Sequence, residues 1–501
     1  MQKKQTILAV TSLLLVVVLS VTLAYFTAQI IGEGKNISVS SADLKIVFTD
    51  TDGNIAGNGI TPGWSSSKTF TVKNESNGTY KYDIIIKDLV NTFKTYKYLQ
   101  YKITSTDGGY NMTGYSYLPK ASTKEDVALA YEISIDKGKT HTYTVEIKYV
   151  NDEAVDQSID MGQSLSGTIY IREFTKPTMK LTDKLMADNP TIKTRTTFTA
   201  FTETNTGTLY KATEQIGTDP VKDVYYFAGD AKNNWVKFAG FYWRIIRTNH
   251  DGSIKLLYAG TSPDTTEGYI GRSAFNSTYK DPMYVGYKYG TTGSLENNRL
   301  NTNDSTIKTY IDNWYKNNLT AYTKYLSNDA VYCNDRNLGS GQTYSTTKRF
   351  DYAPSERIYT NKQPTYNCTN MSDAFSVNNT SAKLDYPVGL MTIDELSYAG
   401  GQSYTNLTAP YAWYYTNANG ESSYGSAPFW ALSPVGWNGS TSYVWDVNGS
   451  DYPGGLDVDG RVDGSFAVRP SVSLSSCNLI SRGDGSPENP YEIYTGSGVC
   501  E

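Results

Sequence analysis

The chain has 501 residues, with 45 Lys and Arg against 50 Asp and Glu, for a net charge of −5. That mild, evenly spread acidity leaves no basic patch to track a phosphate backbone, which excludes nucleic acid as the partner. The length exceeds what one hydrophobic core organises, so two globular domains are expected. Tyrosine dominates the aromatics, 43 against 15 Phe and 8 Trp, as suits sheet faces where a ring packs while its hydroxyl stays wet.

Residues 1–28 read as a signal peptide or membrane anchor. Ile7 to Phe26 is an uncharged apolar run behind Lys3 and Lys4, and at about 1.5 Å per residue it reaches roughly 30 Å as a helix. Thr22-Leu23-Ala24 puts small residues where a signal peptidase needs them, giving a mature start at Tyr25. The alternative is an uncleaved span with its lysines in the cytoplasm. Both readings export the bulk of the chain, so the expected location is extracellular or at the cell surface, with the membrane as partner if the leader is retained.

Residues 41–172 alternate with period two and predict a β-sandwich. The expected strands are Ala42 to Phe48, Lys68 to Lys73, Tyr80 to Ile86, Leu99 to Thr104, Ala128 to Ile135, His141 to Val150 and Leu165 to Ile171. Tyr143, Val145 and Ile147 share the inward face, and His141 falls in the same register as a packed residue. Asp50-Thr51-Asp52-Gly53-Asn54 offers oxygen ligands at a calcium-like spacing, but the downstream Glu of an EF-hand is missing, which makes it a turn.

Thr22-Leu23-Ala24-Tyr25-Phe26, then Ser40-Ser41-Ala42-Asp43-Leu44, then Ile60-Thr61-Pro62-Gly63 before Lys68-Thr69-Phe70-Thr71-Val72-Lys73-Asn74 together resemble the camelysin and TasA group of exported biofilm-matrix proteins. The resemblance covers about the first third of the chain. It implies a jelly-roll sandwich, release by a dedicated signal peptidase and, in some members, fibres in which the freed N-terminal segment completes a neighbour's sheet. Tyr25 to Val39 is the corresponding donor candidate, and simple members of that group end after the sandwich.

Residues 173–221 read as a linker: Lys176-Pro177 closes the sandwich, and a Thr-rich stretch with a short helix around Leu181 to Met186 carries few large apolar residues. Residues 222–501 predict an α+β domain. Phe241 to Thr248 and Ser253 to Tyr258 form a hairpin whose turn exposes His250. Asp304 or Ser305 caps a helix carrying Ile307, Tyr310, Ile311, Trp314 and Leu319 on one face. Thr392-Ile393-Asp394-Glu395 is a capping box and Gly400 its stop.

Four motifs in order, Trp235 to Arg247, Tyr386-Pro387-Val388-Gly389-Leu390, Phe429-Trp430-Ala431-Leu432-Ser433-Pro434 and Val468-Arg469-Pro470-Ser471-Val472-Ser473-Leu474, resemble a bacterial surface domain of C-type-lectin-like fold. That fold is shared with sulfatase-modifying factors and with the variable proteins of diversity-generating retroelements. The resemblance implies that the motifs are structural and that the loops between them, Val435 to Ala467, face ligand. Candidate ligand-binding residues there are Trp437, Tyr443, Asp446, Asp451, Tyr452 and Asp457. Carboxylates beside rings are how lectin-type sites hold calcium and stack a sugar; the plainer reading is solvated turns with Trp445 in a core. The lectin tripeptides Glu-Pro-Asn and Gln-Pro-Asp are absent, and no cofactor other than calcium is in view.

Cys333, Cys368, Cys477 and Cys500 are an even set in an exported chain. Proximity favours Cys333 with Cys368 and Cys477 with Cys500, one of three pairings. No cysteine lies near a histidine in sequence, and their spacing lacks the close pairs of a zinc site. The resulting expectation is a non-enzymatic, mainly β cell-surface protein for adhesion or recognition of a surface or matrix protein or glycan. Alternatives are a strand-donating, self-assembling matrix protein and a secreted carbohydrate-active enzyme that hides two carboxylates among 50 acids.

Overall fold

A computed structural model describes residues 26–32, 37–40, 45–52, 55–95, 97–405, 407–449 and 452–500, and before residue 60 it is the backbone pairing that is described. Residues 7–25 of the apolar leader lie outside this set. Among the described residues no helix is long and apolar enough to cross a membrane.

The chain divides into two units, ending and beginning at Lys176 and Pro177. The first contains β1 (Phe26–Gly32), β2 (Ile37–Ser40), β3 (Lys45–Asp52), β4 (Ile55–Ile60), β5 (Ser65–Asn74), β6 (Tyr80–Asn91), β7 (Leu99–Ser105), β8 (Ser116–Tyr117), β9 (Ala121–Ile135), β10 (Thr140–Tyr149) and β11 (Ser164–Glu173). They form a sheet ordered β4-β1-β11-β6-β9 and another ordered β2-β3-β5-β10-β7-β8. Along β10, His141, Tyr143, Val145, Ile147 and Tyr149 are buried while the intervening residues are half-exposed or exposed. These meet Ile84, Ile86 and Leu89 of the other sheet in one core, which makes the unit a β-sandwich. His141 packs as expected: its Nδ1 lies 2.9 Å from the Tyr82 hydroxyl, and burial lowers its pKa, favouring neutral imidazole.

The expected strands from Lys68 onward are found, most of them longer. Residues 42–44 of the first lie outside the described set, as do Gly53 and Asn54 of the calcium-like turn, while Asp50 to Asp52 end β3. The donor candidate is partly accounted for within the chain. β1 pairs in parallel with β11, Thr27 opposite Ser164, and antiparallel with β4.

In the second unit the structure departs from the expected linker. Much of 177–221 is an integral part of the fold. Helix Leu181–Asp188 buries Leu181 and Leu185, and strand Thr208–Glu214 joins the central sheet beside Lys222–Tyr226. Phe198 and Tyr210 enter a cluster with Tyr226, Tyr366 and Tyr398. Large apolar residues are sparse there, but each aromatic lands on another ring: Phe198 sits 5.0 Å from Tyr398 and Tyr210 5.6 Å from Tyr226.

At the centre of this sheet Phe241–Thr248 pairs with Trp235–Phe238 and with Ile254–Tyr258, which in turn pairs with Ser471–Leu474. The hairpin turn at 249–252 is as expected, but His250 is not free on it. Its backbone N–H donates to Glu214 at 2.6 Å, because strand Thr208–Glu214 brings that carboxylate alongside. Helix Thr306–Asn318 is capped by Ser305 and buries Ile307, Ile311 and Tyr315. A second sheet is built on Phe429–Trp437, Ser442–Val447 and Leu456–Arg461. Both disulfides form, Cys333–Cys368 and Cys477–Cys500, in keeping with an oxidising environment.

Helix Ile393–Ala399 carries the full capping box, Thr392 accepting from the Glu395 backbone and Glu395 from that of Thr392, and stops at Gly400 with φ 118°. Thr392→Ala removes one half of that exchange. The expected cost is about 1 kcal/mol in urea unfolding of the whole chain; no loss would mean that burial alone holds the helix end.

Candidate functional site

The second sheet assembles the site. Phe429–Trp437 pairs with Ser442–Val447, and that strand with Leu456–Arg461. On the other edge the short strand Phe350–Asp351 pairs with Gly436 and Trp437. Glycine at 436 permits this approach, since a Cβ there would stand 2.7 Å from the Asp351 carboxylate and 2.8 Å from the Phe350 carbonyl. The result is a cleft of about 220 Å³ whose walls include Arg349, Asp351, Trp437, Asn438, Tyr443 and Asp459.

Two of these were named by the sequence. Trp437 is 2% exposed, and its Nε1 has no hydrogen-bond partner among the described residues, which is rare for a buried polar group. Tyr443 is half-buried, with its hydroxyl 3.3 Å from the Asn438 amide. Of the other candidates, Asp446 is buried at 4% exposure, Asp457 is half-buried and Tyr452 is 39% exposed at the turn before Leu456–Arg461. Asp451 lies outside the described residues. Trp445 is fully buried, as the plainer reading had it, although its Nε1 too finds no partner among the described residues.

Asp446 and Asp457 face each other across the hairpin. Burial drives the Asp446 pKa well above the usual carboxylate range, and the neighbouring charges of Asp457 and Asp459 push it further. Tyr404 adjoins this group: its backbone donates to the Leu456 carbonyl, its ring is 5.6 Å from Tyr359, and burial with the Asp459 and Asp457 charges raises its hydroxyl to about 12.

Arg349, Asp351, Asn438 and Asp459 were missed as site residues; Asn438 stands beside Trp437 in the stretch already singled out. Asp459 had a signal, standing two residues from Asp457 in an alternating strand; Arg349 and Asp351 had none, because only the long-range pairing of Phe350–Asp351 brings them to the cleft.

Other polar groupings are self-neutralised. Among the described residues one trio of acids has ligand atoms close enough for a metal, Asp304, Asp312 and Asp385, but Lys308 already fills it, with Nζ 3.2, 2.5 and 2.8 Å from them. A second cleft of about 220 Å³ lies beside the Cys333–Cys368 bridge. There Arg357 is paired with Asp335 at 3.0 Å and Asp394 at 2.7 Å, and Asp373 with Arg336 at 2.7 Å. All four cysteines are bridged, so no described thiol is available as a nucleophile.

No family model matches the chain, and no curated protein matches it. Among solved structures, AvmM, which catalyses macrocyclization in alchivemycin A biosynthesis, is similar over 30% of this chain and 100% of its own, at 9% identity and a TM-score of 0.15. A family 123 glycoside hydrolase from Clostridium perfringens that hydrolyses glycolipid glycans is similar over 26% of this chain and 24% of its own, at 8% identity and a TM-score of 0.11. At those scores neither likeness amounts to a shared fold.

Proposed function

We propose that this is an exported, non-enzymatic surface protein whose second unit, a C-type-lectin-like module, recognises a polyhydroxylated ligand, a cell-surface or matrix glycan, while a jelly-roll sandwich forms the first unit. The observation that carries the reading is Trp437, a buried indole with an unpartnered N–H in the wall of a cleft that also holds Asp351, Asn438 and Asp459. Carboxylates and an amide accept from and donate to hydroxyls, and Arg349 at the rim adds a donor set. The two disulfides agree with work outside the cytoplasm.

A glycan array probed with the mature chain tests this, with reducing-sugar release measured on every glycan bound. Binding without release supports recognition; release would make the protein a carbohydrate-active enzyme instead. Trp437→Phe keeps a ring and deletes the N–H, and a lost neutral hydrogen bond of about 1 kcal/mol predicts roughly fivefold weaker binding. Unchanged affinity would remove Trp437 from the site.

A second reading has one observation in its favour. β1 is the first described strand and lies between β4 and β11, a slot that a neighbouring chain's equivalent segment can fill in a fibre. Electron microscopy of the chain with and without residues 25–39 separates the two, since identical monomers in both would end the fibre reading.

A further inference from the structure

We propose that the ligand of this cleft bears a positive charge, and that it is an amino-sugar glycan recognised through its free ammonium groups by Asp457 and Asp459, with the exposed rings of Tyr404 and Tyr359 beside them. The inference rests on the glycan reading above and adds the charge of the ligand.

Charge pairing in the second unit points there. Its other buried carboxylates each have a basic partner: Glu214 with Arg247, Asp230 with Lys232, Asp373 with Arg336, Asp394 with Arg357 and Glu395 with Lys255. Asp446 is the exception. It is 4% exposed, and it is met by a backbone N–H of Gly460 and by no Lys or Arg among the described residues. A buried acid without a counter-charge is costly, and sites of this kind persist where a ligand supplies the missing charge. Asp457, its ladder partner, lies on the adjacent strand at about 5 Å between Cα atoms, and Asp459 carries the negative charge out to the exposed face beside the cleft.

The missing charge is better supplied by an ammonium than by a metal ion. Among the described residues the oxygens of Asp304, Asp312 and Asp385 lie within 4.8 Å of one another, whereas those of Asp446, Asp457 and Asp459 do not converge in this way around one ion. An ammonium needs no such convergence. It takes carboxylates at one side and ring faces at another, and Tyr404 at 48% and Tyr359 at 54% exposure present such rings. Trp437 and Asn438 in the adjoining cleft suit the sugar hydroxyls, which favours a glycan over a basic peptide.

The test is titration calorimetry of the full chain with an oligomer of β-1,4-linked glucosamine and with its fully N-acetylated counterpart, at about pH 6, where the free amines are protonated. The amine form should bind at least about tenfold more tightly, and the gain should shrink with salt. Asp457→Asn and Asp459→Asn should each erase most of that gain, so that the variant binds the two oligomers about equally, and Trp437→Phe should weaken both. Equal binding of the two oligomers would overturn the charge inference and leave the glycan reading standing. Binding of neither would overturn both. Tighter binding of oligolysine than of the amine glycan, or loss of binding in a chelator, would replace the ammonium sugar by a basic peptide or a metal-held ligand.

Discussion

Replacing Glu395 by Ala should destabilise the second unit by about 3–5 kcal/mol, the loss expected when one member of a buried ion cluster is removed and the others stay. Glu395 and Lys255 have side chains 1% exposed, Glu214 2% and Arg247 4%. Glu395 takes Lys255 at 2.8 and 3.0 Å and Arg247 at 2.9 Å, and it closes the capping box with the Thr392 backbone at 2.9 Å. Arg247 would keep Glu214 at 2.8 Å, whereas Lys255 would lose the acid it is hydrogen-bonded to and keep the Tyr332 ring, 4.8 Å from its nitrogen, and the more distant charge of Glu214. Burial opposes charge on Glu214, and Arg247 outweighs it, holding that pKa down at about 2. The same contest leaves Glu395 below its ordinary value, with Lys255 and Arg247 prevailing over desolvation. Urea unfolding of Glu395→Ala, Lys255→Met and the double variant measures the coupling. The double variant should recover much of the single loss, because it removes the stranded ammonium along with its acid. Additive losses would show that the two residues act independently.

This cluster shows what local sequence reveals and what it conceals. The capping box Thr392 to Glu395 was legible because helix capping is a four-residue pattern, but nothing in Ile254-Lys255-Leu256-Leu257-Tyr258 says that a lysine in the middle of an apolar strand has its acid 140 residues away. The sandwich was legible for the same reason as the capping box: in β10 each alternate residue after His141 is Tyr, Val or Ile, and period two can bury only one face. The bridges followed from proximity in an exported chain. The stretch before residue 222 misled because Leu181, Leu185, Phe198 and Tyr210 are scattered; spacing gives no sign that Tyr226, Tyr366 and Tyr398 will collect two of them. The site was half visible. Trp437, Tyr443 and Asp457 share a row of hairpins, while Arg349 and Asp351 arrive by pairing with a strand far along the chain.

Asp446→Asn is expected to stabilise the protein while weakening its preference for a charged ligand. The folded-state pKa of Asp446 is raised by burial, then by Asp457 and Asp459, above the unfolded value of about 3.9. A group with a raised pKa binds its proton more tightly in the folded state, so stability is complete below the unfolded value and drains as pH climbs toward the folded one. Wild-type and Asp446→Asn chains should therefore differ least below about pH 4. They should diverge as pH rises, the variant becoming more stable at neutral pH by about 1–3 kcal/mol, the cost of an ill-satisfied buried polar group. Most buried substitutions lower stability, so the sign alone is diagnostic. Thermal or urea unfolding across pH reads it directly, and a variant less stable than wild type at pH 7 would mean that an undescribed cation already neutralises the carboxylate. Asn also removes a carboxyl that a bound ammonium would help to ionise, so the amine oligomer should lose part of its advantage over the acetylated one. A gain in stability together with a loss of ligand discrimination is the trade expected of a residue kept for binding.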